Sequence, residues 1–163
     1  MTGAANYLVG SITVGAGATL LMDVGAIARN RLGGAPLPDY GLVGRWIAHM
    51  PGGRFHHESI AASPRVRGER LIGWSAHYFI GIAFAAALLL VWGIDWWRHP
   101  TLAPALIVGM GSVAAPFLLM QPGMGVGIAA SRSPNPAAAR VRSLATHGIF
   151  GFGLYAAAWV TSL

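Results

Sequence analysis

Between about Leu71 and Ile94 the chain reads LIGWSAHYFIGIAFAAALLLVWGI, without a single Asp, Glu, Lys or Arg. A helix rises 1.5 Å per residue, so about 20 such residues cross the hydrocarbon core of a bilayer. Three more stretches have a similar character: about Tyr7 to Ala28, Leu102 to Gln121, and Val141 to Ser162. The helix of the last is expected to start earlier, with Asn135 as its cap and Pro136 in the first helical position. Four spans predict an all-α integral membrane four-helix bundle, in a single transmembrane domain over residues 1–163.

Composition agrees. Of 163 residues, 55% are hydrophobic and only 10% are charged, against roughly a quarter in soluble domains. Lipid removes the need for a charged surface. All 11 basic residues are arginine. They flank the apolar stretches, so they are read as topology signals and contacts for anionic head groups, with no nucleic-acid partner. The absence of cysteine excludes disulfides, iron–sulfur clusters and thiol catalysis. The N-terminal stretch lacks a positive leader region and is read as a retained helix.

The arginines also set direction. Arg29, Arg31, Arg45, Arg54, Arg65, Arg67 and Arg70 lie between the first two spans, and Arg132, Arg140 and Arg142 between the last two. Only Arg98 lies between the second and third. Positive charge stays inside, so loops of about 29–70 and 122–140 are expected to be cytoplasmic and both termini periplasmic. Trp96 and Trp97 are expected at the outer interface. The first loop is long, and loops of that size are usually functional or partly structured. Within it, Gly41 to Met50 reads as a short amphipathic helix on the membrane. Gly123, Gly125 and Gly127, after Pro122, read as a flexible span end.

The two halves echo each other. Leu20-Leu21-Met22-Asp23 in the first span matches Leu118-Leu119-Met120-Gln121 in the third. His77 followed by Gly81 in the second matches His147 followed by Gly151 in the fourth. The pattern suggests two helical hairpins related as parallel repeats.

That arrangement predicts a polar layer. Asp23, His77 and His147 fall roughly 6–10 Å inside the cytoplasmic boundary, and Gln121 at it. Stripes of small residues on the same helix faces point these side chains into the bundle. A buried Asp must be paired, protonated or metal-bound. Asp23, His77 and His147 are therefore candidate ligands for a divalent metal (Zn, Fe or Mn), or proton carriers. Gln121, Met120 and Tyr155 would stand beside them as substrate or orienting groups. A haem held by the two histidines fits less well. In the long loop, His49, Arg54, His56, His57 and Glu58 are further candidates. The plain alternative is that these groups only hold helices together, at roughly 0.6–2 kcal/mol each. Three functions stay open: a metal- or proton-handling site, a small transporter or channel subunit, and a structural accessory subunit. Whether the chain is an enzyme is undecided, and its many small residues are compatible with a homodimer.

The chain also resembles a bacterial family of small integral membrane proteins known only as a domain of unknown function. The resemblance rests on Ala18-Thr19-Leu20-Leu21-Met22-Asp23, Tyr40-Gly41-Leu42-Val43-Gly44-Arg45-Trp46 and Gly53-Arg54-Phe55. It continues through His77-Tyr78, Met120-Gln121-Pro122, Ser131-Arg132-Ser133-Pro134-Asn135-Pro136 and the His147 segment. It implies four spans and an inner-membrane location, and supplies no activity.

Overall fold

The computed structural model describes residues 3–162. Among them there is no strand. The helices are α1 (Gly3–Gly33), α2 (Tyr40–His49), α3 (Glu69–Trp92), α4 (Asp95–Arg98), α5 (Leu102–Gly111), α6 (Gln121–Gly123) and α7 (Pro136–Thr161). Three stretches are long and apolar enough to cross a membrane: Gly3–Gly33, Glu69–Trp92 and Leu102–Gly123. α7 has the length, at 26 residues. Its first half carries Arg140, Arg142, Ser143, Thr146 and His147, and it is not among the three. The structure thus agrees with an all-α membrane bundle and supports three of the four expected spans on length and composition.

Two local expectations are met. Asn135 caps α7, its side-chain oxygen accepting from the Ala138 amide at 3.0 Å. α2 forms where an amphipathic helix was expected, capped by the Asp39 carboxylate on the Gly41 amide at 2.9 Å. One feature was not expected. Pro116 has no N–H and crowds the preceding turn, and the chain widens into a π-helix over Pro116–Met120.

The helices assemble into two compact units. Among the described residues, the first comprises 3–37, 78–112 and 145–162. Its core is Val14 and Ala18 of α1, Ala85, Leu88 and Leu89 of α3, Trp96, Ala105 of α5, and Phe150, Leu154 and Ala158 of α7. Glycine brings the backbones together. A Cβ on Gly15 of α1 would lie 2.5 Å from the Ile82 Cα of α3. A Cβ on Gly81 of α3 would overlap the Thr19 hydroxyl, and one on Gly109 of α5 would overlap the Gly151 Cα of α7. The glycine of each His-x-x-x-Gly pattern therefore closes its helix onto the preceding span, α3 onto α1 and α7 onto α5. Trp96 packs into this core. It is buried, and its indole N–H donates to the Thr101 carbonyl at 3.2 Å.

The second unit comprises residues 38–77 and 113–144. α2 lies against the first turns of α3, where Cβ atoms on Gly44 and Gly73 would overlap the Glu69 and Tyr40 carbonyl oxygens. Arg45 of α2 is buried. Its guanidinium grips both Glu69 carboxylate oxygens at 2.8 Å. It also donates to the carbonyls of Ile60, Ala61 and Ser63 at 3.1, 3.3 and 3.1 Å. The bond to Glu69 raises the Arg45 pKa, against burial, so its charge is permanent. The loop between α2 and α3 is thereby fixed. Its His57 and Ile60 amides donate to Gly123 and Met124 at 2.9 and 3.1 Å. The Gly123–Gly127 stretch is shaped by contact. Gly123 lies against the Trp46 indole, and Gly125, at φ +90°, lies against the Glu58 carbonyl.

Glycine packing gives a two-position test in one helix. Gly109→Ala is expected to destabilise the protein by about 1–3 kcal/mol, because the new methyl has no room. Gly111 has nothing within 4 Å of an added Cβ, so Gly111→Ala is expected to be neutral or to stabilise by up to about 1 kcal/mol. Equilibrium unfolding of the two variants in detergent measures both signs.

Candidate functional site

Polar contacts join the helices of the first unit. α1 places Asp23 one turn beyond Thr19, and the Tyr78 hydroxyl of α3 donates to Asp23 Oδ2 at 3.2 Å. Both side chains are half-buried. α1 then reaches Arg29, whose Nη2 donates to the Thr146 hydroxyl of α7 at 2.8 Å. Arg29 Nη1 is buried without a hydrogen-bond partner among the described residues.

Another contact joins α5 and α7. Ser112, which closes α5, is buried. Its Oγ donates to the Gly109 carbonyl at 2.6 Å and lies 2.7 Å from His147 Nδ1. A hydroxyl has one proton. With that proton on the Gly109 carbonyl, His147 Nδ1 must carry a hydrogen and donate it to Ser112. In the neutral ring, Nε2 then holds the lone pair. This tautomer is inferred from the hydrogen-bond network.

The expected site residues are distributed as follows. Asp23 and His147 belong to the first unit, with Tyr78 and Ser112 as partners. Tyr155 is there too, half-buried against the core. His77, Gln121 and Met120 belong to the second unit. His77 stacks on Tyr40 with ring centres 4.1 Å apart and meets the edge of Trp74 at 5.8 Å. Gln121 Oε1 is buried without a partner among the described residues. Met120 ends the π-helix.

The loop histidines separate in role. His49 Nδ1 and His57 Nε2 meet at 2.9 Å, and His57 is buried. Arg54, His56 and Glu58 are exposed. Among the described residues, no group of three or more His, Asp or Glu side chains is placed to hold a metal ion. The divalent-metal expectation for Asp23, His77 and His147 thus gains no support.

Sequence reasoning missed Tyr78 and Ser112. Tyr78 adjoins His77, and a tyrosine in an apolar helix carries no signal of its own in the sequence. Ser112 is a lone hydroxyl in an apolar run, which is the signal that marks it.

No curated protein and no solved structure matches this chain. One family model matches residues 12–161, nearly its whole length. Built from long apolar helices with a few inward polar pairs, the chain belongs to the family described as Protein of unknown function (DUF2938).

Proposed function

We propose that this chain is a four-span membrane protein that handles protons at a polar site among its helices, with Asp23 and Tyr78 as the exchanging pair. One observation carries the reading. A carboxylate within an apolar helix receives a hydrogen bond from a phenol on a neighbouring apolar helix. Ionisable groups inside membrane spans are costly, and where they occur they mark ion pathways, proton relays or ligand sites. Asp23 takes up a proton and releases it. The Tyr78 hydroxyl holds the carboxylate by donating to it. His147, oriented by Ser112, is a second proton carrier in the same unit.

In this reading α7 is the fourth span. The arginine-rich loops face the cytoplasm and the termini face the opposite side, as the charge distribution favours. The membrane is a bacterial inner membrane. A transporter or channel subunit would use the same groups as its proton relay. A metal site and a purely structural role remain as outcomes of the test below.

Proteoliposomes holding a pH-sensitive dye test the site. With a potassium diffusion potential imposed, the wild type is expected to move protons well above protein-free vesicles. Asp23→Asn is expected to abolish that flux, and Tyr78→Phe to reduce it with the fold intact. Wild-type flux equal to empty vesicles, with Asp23→Asn only lowering thermal stability, refutes proton handling and leaves helix adhesion. Stoichiometric Zn, Fe or Mn in the purified protein, lost in His147→Ala, would replace the reading with a metal site.

The absence of native cysteine makes topology directly testable. In spheroplasts, a membrane-impermeant maleimide is expected to label Ser162→Cys at once and Ser59→Cys only after lysis. The reverse order contradicts the proposed orientation.

A further inference from the structure

The second unit contains a cavity of about 310 Å³, lined by Asp39, Gly41, Arg45, Arg65, Gly68, Glu69 and Arg70. Its lining holds three positive and two negative side chains. The charges are unequally committed. Glu69 is held by both arms of Arg45 and also accepts the Val66 amide at 3.0 Å. Asp39 is occupied capping α2. Arg65 and Arg70 make no hydrogen bond or ion pair among the described residues. The acids are thus engaged on structure, and although the Arg65 charge also acts on Glu69, the donors of Arg65 and Arg70 are open to whatever enters.

The walls are also built. The Arg45–Glu69 clamp fixes α2 against α3. Gly41 gives the Arg70 stem a place to lie, since a Cβ there would meet Arg70 Cγ at 3.4 Å. Gly68 turns the chain at φ +82° immediately before α3. α3 is 24 residues long, and the positive end of its dipole lies at the cavity.

We infer that this cavity binds a phosphate group through Arg65 and Arg70. Guanidinium matches phosphate in shape and charge, giving two parallel hydrogen bonds per arginine. The depth points to the source. α3 is long and apolar enough to cross a membrane and begins at Glu69, so with α3 in a bilayer the cavity would lie at the level of the head groups. An anionic phospholipid is therefore the expected donor of the phosphate, and a soluble phosphate ester is the other source of the same chemistry. The inference extends beyond proton handling and does not depend on it.

Delipidated protein in neutral detergent, titrated with phosphatidylglycerol, phosphatidylcholine or inorganic phosphate and read by native mass spectrometry, tests it. Phosphatidylglycerol is expected to bind and phosphatidylcholine to bind far more weakly. Arg65→Gln and Arg70→Gln should each weaken the complex by about tenfold, a typical loss for one charge-assisted contact. Arg70→Lys should retain part of the affinity, and Arg31→Gln, which does not line the cavity, should change nothing. Inorganic phosphate binding as well as the lipid, with the same arginine dependence, assigns the site to a soluble phosphate. Unchanged lipid binding in folded Arg65→Gln/Arg70→Gln protein, or an equal loss in Arg31→Gln, overturns the inference.

Discussion

The first unit depends on backbone contact at glycine. In lipid, helices gain little by hiding apolar side chains from an apolar solvent, so close packing must hold them together. Gly15 against Ile82 and Gly109 against Gly151 supply that packing. The same contacts set the polar groups in register. Thr19 lies where Gly81 crosses α1, and Asp23 follows one turn later to meet Tyr78. On the other pair, the His147 carbonyl faces Gly109 and its ring meets Ser112. A larger residue at these glycines would shift the polar pairs as well as loosen the packing.

The second unit depends on a different interaction. Arg45 spends every arm of its guanidinium on Glu69 and on three carbonyls of the following loop. Arginine has five donors in a rigid fork, and no other side chain can make this set of bonds. A long loop that would otherwise pay a large entropic cost is ordered around one buried cation. The His49–His57 contact and the Trp46 indole bond to the Phe55 carbonyl at 2.8 Å add to that order.

Much of the fold was legible in the sequence, because hydropathy and caps are local properties. The long apolar stretches, the Asn135 cap and the helix after Asp39 all follow from neighbouring residues. Asp23 and His147 were legible because an ionisable group in an apolar run is rare. What was missed is non-local. Arg45 reads as one more loop charge until α3 brings Glu69 to it. Tyr78 lies one helical step from His77, and only the facing helix shows that its hydroxyl reaches Asp23. The glycines after Pro122 read as slack, while the structure uses them for close approach to Trp46 and Glu58.

The central claim is that Asp23 exchanges a proton under the control of Tyr78. Infrared difference spectroscopy of the reconstituted protein across a pH titration observes this directly, through the carbonyl stretch of a protonated carboxyl group. The account predicts a titrating carboxyl band that disappears in Asp23→Asn and moves to another frequency in Tyr78→Phe. A spectrum in which both variants keep the wild-type band would contradict it.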